Sequence, residues 1–177
     1  MKKTKKTILL TACLLYSITS IGQTIELQDV ASVTPPSKKL IPISKDKIPE
    51  FAKEKFRGKM VPYDILNNSD DVYAVDDILV RVRAFKGPAN PDFTKAKKSF
   101  DILNNGVKGG ASSIETIDNK VVYIMWIPDE YLGTCYFACI NKHHNVTITG
   151  KLEFNAGDEA KARSVLEDII KGLKFKE

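Results

Sequence analysis

The sequence predicts an α+β fold, an antiparallel sheet packed with helices, and three observations carry that prediction. Residues 78–85 and 146–154 alternate apolar and polar side chains, the mark of strands with one buried face. Residues 158–172 instead repeat apolar side chains at i, i+3, i+4 and i+7, the spacing of a helix with one buried stripe. Between these segments, runs of strands are broken by single helices, which is not the strict alternation of a parallel doubly wound sheet.

The chain opens on Met1-Lys2-Lys3-Thr4-Lys5-Lys6, then an apolar stretch from Ile8 to about Ile21, then Ser20-Ile21-Gly22-Gln23. A basic end, a short apolar run and small residues at its exit form the pattern of a secretory signal peptide, residues 1–22, cleaved after Gly22. The run is shorter than the roughly 20 residues of a spanning helix, and no second long apolar run follows, so no membrane span is expected after cleavage. Leu10-Thr11-Ala12-Cys13 offers a rival, a lipoprotein box with lipid on Cys13. The very short apolar segment before Cys13, and its continuation through Leu14, Leu15 and Tyr16, favour Gly22. The expected location is the periplasm or the exterior.

The formal charge of +5 is largely the signal's. Residues 23–177 hold 23 basic against 22 acidic side chains, so neither nucleic acid nor an anionic membrane is an expected partner.

Residues 23–43, with Pro35-Pro36 and no sustained period, read as a linker or extended arm, and 44–177 as the α+β domain. Ile48, Phe51, Ala52 and Phe56 predict a short helix, with Ser44 or Asp46 as cap. Residues 72–75 and 78–85 predict a hairpin turning on Asp76-Asp77, with Arg81 and Arg83 on its wet face. Asn90 and Pro91 predict the start of a helix whose buried stripe is Phe93, Ala96, Phe100 and Leu103. A loop follows over 106–113, then strands at 113–117, 121–127, 133–140 and 146–154. Residues 121–127 are apolar on both faces and predict a central strand. In the last helix Asp158 is the cap and Gly172 the stop.

This order is similar to that of the PsbP/Mog1/DcrB-like superfamily. The resemblance rests on the Ile78–Phe85 strand, the Pro91–Leu103 helix, and Gly150-Lys151-Leu152-Glu153-Phe154 followed by Ala162 to Phe175. It covers about 100 residues. It implies a binding or accessory module and transfers no site residue. The helix near 48–56 and the lack of a clear opening strand before residue 60 depart from the pattern.

Candidate chemistry is sparse. Cys135 and Cys139 lie four apart on a strand, about 13 Å, beyond disulfide reach, so they are expected as unbonded, buried apolar residues. His143 and His144 share a hairpin tip and are expected to be solvated. Asp70, Asp71, Asp76 and Asp77 offer oxygens to calcium but lack EF-hand spacing, and are expected to be turn residues. Residues 106–113 have a phosphate-loop flavour without Gly-Lys-Ser/Thr. No catalytic residue, metal site or cofactor is expected. A candidate binding surface is formed by Tyr123, Trp126, Tyr131 and Tyr136, near Phe137, with Arg81 and Arg83.

Three functions follow, in descending order: a non-catalytic binding or assembly accessory module of the cell envelope, binding an unknown protein or small ligand; an envelope immunity or inhibitor protein that blocks a toxin or hydrolase; and a hydrolase using the Asp70–Asp77 carboxylates.

Overall fold

The computed structural model describes residues 23–56, 71–87, 92–103 and 109–176. The expected signal peptide, Cys13, Asp70, Asn90, Pro91 and Gly106 to Lys108 lie outside the described residues. In chain order the strands are β1 (Ile25–Leu27), β2 (Ala31–Val33), β3 (Ile41–Pro42), β4 (Val72–Val75) and β5 (Ile78–Lys86). They continue as β6 (Ala111–Ile117), β7 (Lys120–Ile127), β8 (Leu132–Ile140), β9 (Val146–Asn155) and β10 (Leu173–Phe175). The helices are α1 (Ile48–Lys55), α2 (Phe93–Leu103) and α3 (Glu159–Gly172). An antiparallel seven-stranded sheet runs β3-β4-β5-β9-β8-β7-β6, and a small sheet runs β1-β2-β10.

Alternation decides what each face of the large sheet meets. Ile78, Val80, Val82 and Ala84 of β5 turn to one face, where Ile148, Leu152 and Phe154 of β9 join them. Ala162, Val165, Leu166 and Ile169 of α3 cover this face together with Ile25, Leu27, Ala31 and Val33 of the small sheet. Cys135 and Cys139 are both buried here and unbonded, as their strand spacing requires. Burial raises both thiols, Cys139 to about 11, so neither is a nucleophile at neutral pH. Gly150 leaves room for a ring: a Cβ there would stand 2.1 Å from the Phe137 side chain.

The opposite face carries α1 at one end, where Ile48, Ala52 and Phe56 pack on Val72 and Leu79. A 3-10 turn, Lys45–Lys47, precedes α1 and displaces the expected cap, so Ser44 begins the 3-10 turn and Lys47 stands at the cap of the α-helix itself.

Turn chemistry explains the hairpins. Asp118 and Asn119 both adopt positive φ between β6 and β7, as a tight two-residue hairpin turn requires. Asp76 takes positive φ between β4 and β5, a conformation that Asp tolerates better than most residues.

Several expectations are corrected. The segment expected as a linker or arm is extended but docked: β2 pairs with both β1 and β10, and Ser37 bonds to Asp168 of α3. Strand β7 is next to the edge strand β6, not central, and Val121 is half exposed. Strand β6 begins at Ala111, two residues before the expected start. Asp92, not Asn90, offers the capping oxygen of α2, accepting from Lys95 N at 2.9 Å. The expected buried stripe of α2 is not buried: Phe93, Ala96 and Phe100 are half-covered and Leu103 is 81% exposed. Gly172 is the last helical residue and Leu173 continues extended, with no left-handed cap. What Gly172 supplies is close approach, since a Cβ would meet the Thr34 carbonyl oxygen at 2.3 Å and Thr34 N donates to Gly172 O.

Candidate functional site

The register of the large sheet brings four of the six candidate surface residues together and separates two. One row across the α1/α2 face reads Arg81, Lys151, Tyr136 and Met125, each the pairing partner of the next. The adjacent row reads Arg83, Thr149, Ala138 and Tyr123. Phe93 of α2 stacks on Tyr123 with ring centroids 5.7 Å apart, closing one side of a groove of about 310 Å³. Burial raises the Tyr123 phenol above its usual range. Trp126 faces the other way, into the core, edge-on to Phe154 at 5.9 Å. Tyr131 is exposed in the β7–β8 connection, outside the lining of the groove. The aromatic concentration therefore is not one surface: alternation along β7 puts Tyr123 and Trp126 on opposite faces.

The cations of this groove are matched internally. Arg83 Nε donates to Asp71 at 2.6 Å. Lys151 Nζ lies 2.5 Å from Glu153 Oε1 and 5.1 Å from the centre of the Tyr136 ring. Thr134 Oγ1 donates to Glu153 Oε2 at 2.7 Å. The Lys151 side chain is 7% exposed and that of Glu153 fully buried, so each ion needs the other, because an unpaired charge at such depth is costly. The wet face expected for Arg81 and Arg83 is thus partly covered.

The acidic residues disperse. Asp71 precedes β4 and bonds Arg83, whereas Asp76 and Asp77 follow β4 at its other end. Asp77 accepts from Lys161 of α3, and Asp76 lies 3.9 Å from Lys38. Asp76, Asp77 and Asp158 line an open polar depression with Glu54, Lys55 and Lys161. Among the described residues no group of three or more His, Cys, Asp or Glu side chains is placed to hold a metal. The hydroxyls of the Gly-rich segment are engaged too: Ser112 donates to Asp101 and Ser113 to Glu115.

A larger concavity than this groove lies where the sequence offers turns and a helix tail. The β6–β7 turn, the β8–β9 loop and β10 converge on an open cleft of about 770 Å³, a volume common for ligand sites. Its floor is apolar: Phe93, Val121, Ile140 and Phe175. Lys120, Lys142, Lys174 and Lys176 stand at its rim with His143 and His144. The loop bearing the histidines is pinned. Asn141 Oδ1 accepts from the backbone N–H groups of Asn145 and Val146, both at 3.0 Å, and Asn141 Nδ2 donates to Asn145 Oδ1 at 2.6 Å. The two imidazoles are exposed, as expected, but at the mouth of a cleft.

No known protein-family model matches the chain, and no characterised protein matches its sequence. Solved structures do match. The solution structure of PsbP (CyanoP) from Synechocystis sp. PCC 6803 is 12% identical at TM-score 0.47, over 87% of this chain and 92% of that one. The Saccharomyces cerevisiae Ran-binding protein Mog1p is 12% identical at TM-score 0.46, over 88% and 96%. PsbP and Mog1 structures are thus among its fold neighbours. A crystal structure from Bacteroides thetaiotaomicron is 13% identical at TM-score 0.45, over 88% of this chain, which spans only 49% of that chain's length. These likenesses concern fold and carry nothing about ligand or partner.

The cleft is what the sequence reading misses. Its walls come from segments that are far apart in sequence, and no one of them alone reads as part of a cleft. The one local signal is Val121, an apolar residue immediately after a turn and on the outward side of its strand.

Proposed function

We propose that this protein is a non-catalytic binding module of the cell envelope, and that its ligand or partner enters the cleft bounded by the β6–β7 turn, the β8–β9 loop and β10. The observation that carries this reading is the water-exposed apolar floor under a rim of lysines. Val121 is 50% exposed on that floor, an apolar surface that a bound body would cover. The groove under α2 is the weaker candidate, because it is smaller, about 310 Å³ against about 770 Å³. The inhibitor reading draws on a different feature, the exposed Ile102 and Leu103 at the end of α2.

Envelope residence rests on the N-terminal pattern of residues 1–22. Intact mass of protein from the exported fraction should give an N-terminus at or within two residues of Gln23, and a diacylated chain beginning at Cys13 would overturn that. The cleft is tested by crosslinking in envelope extract with parent, Val121→Glu and Phe85→Glu proteins. Phe85 is 51% exposed outside the cleft and serves as the control. The expected result is a crosslinked species shared by parent and Phe85→Glu and missing from Val121→Glu. Equal recovery with all three would contradict the assignment.

A further inference from the structure

The charge of the cleft is one-sided, and this selects a class of occupant. Among the described residues no Asp or Glu lines it. Asp118 and Glu26, which pair with Lys120 and Lys176, stand outside the lining. Lys174 is exposed and makes no ion pair among the described residues.

We propose that the cleft binds a single-chain anionic amphiphile, its apolar body on Val121, Ile140 and Phe93 and its head at the rim by Lys174; this rests on the cleft being the binding site. An inorganic anion would leave the apolar floor in water. A cationic amphiphile would set its charge against Lys174. A neutral one would gain the floor without the rim. The floor supplies affinity through buried apolar area, and the rim supplies discrimination by charge. The rim charges are exposed and therefore screened by salt, so the discrimination weakens as ionic strength rises.

The test is titration of the isotopically labelled protein with laurate, dodecanol and dodecyltrimethylammonium, each below its micelle-forming concentration. Amide shifts are followed at residues 119–121, 140–144 and 173–176. Laurate should saturate shifts confined to those segments and bind about tenfold more tightly than dodecanol. Dodecyltrimethylammonium should bind weakest. Lys174→Glu should weaken laurate by about threefold to tenfold and leave dodecanol unchanged, with a melting temperature equal to the parent's. Dodecanol binding as tightly as laurate would overturn the charge assignment, and laurate shifts outside the cleft would overturn the placement. If laurate fails while Val121→Glu still removes the crosslinked envelope species, the ligand class is wrong and the cleft stands. If both fail, the cleft itself is wrong.

Discussion

Helices α3 and α2 both space apolar residues for one face, yet α3 buries Ala162, Val165, Leu166, Ile169 and Ile170 while α2 buries none. The difference lies in what each faces. Helix α3 packs beside the small sheet on one face of the large sheet, and contacts tie it along its length. Lys161 reaches Asp77, Arg163 reaches Glu115, Asp168 accepts from Ser37, and Thr34 donates to Gly172. Helix α2 lies against edge strand β6, sets Phe93 on Tyr123, and leaves Ile102 and Leu103 in water. A periodic stripe therefore predicts a helix, whereas its burial depends on how much sheet is beneath it. The firmly docked helix holds the core, and the loosely docked one contributes Phe93 to the cleft floor.

Truncating the two helices separates these roles. Leu166→Ala should cost about 2–5 kcal/mol, because Leu166 is fully buried and its removal leaves a cavity. Urea melts would show it directly; a midpoint equal to the parent's would mean that α3 is not docked as described. Asp168→Ala comes next. Asp168 Oδ2 accepts from Ser37 N at 3.0 Å and Ser37 Oγ at 2.6 Å, and its loss removes both charge-assisted bonds. A cost of about 1–3 kcal/mol is expected, with faster proteolysis before residue 44.

The tie to the edge strand is smaller and depends on pH. The Arg163 guanidinium beside Glu115 holds that carboxyl below its ordinary value of 4.5. A depressed carboxylate stabilises the fold fully above its unfolded value, and the contribution is lost as pH falls from about 4.5 through the folded value. Both side chains are about a third exposed, so Glu115→Gln should cost no more than about 1 kcal/mol at pH 7. The difference from the parent should shrink in melts below pH 4. Smallest of all, Leu103→Ala should fall within about 0.5 kcal/mol of the parent, since the residue is already in water. A loss comparable with that of Leu166→Ala would erase the distinction between the helices.

Much of the fold was legible because it is written locally. Alternation marked β5 and β9, and the spacing of residues 162–169 marked α3. The docking of residues 25–42 was not legible. Strands of two or three residues carry no period, and β2 finds its partner β10 at the other end of the chain. The site was readable in part for the same reason. Arg81, Arg83, Tyr123 and Tyr136 do share one face, which alternation within each strand suggests. Strand order then decides that Lys151 and Glu153 lie among them. The cleft needs three distant segments at once, and no single one of them announces it.

Amide hydrogen exchange of the free protein, read by mass spectrometry over residues 93–103 and 159–172, tests the account most directly. Opening free energies follow buried contact, so α3 should exchange only through global unfolding and α2 through cheap local opening. The prediction is that the 93–103 peptide exchanges at least about a hundredfold faster, corresponding to some 3 kcal/mol or more between the two openings. Equal protection of the two peptides would contradict it: α2 would then belong to the core, and the division between a helix that holds the fold and one that serves the cleft would fall.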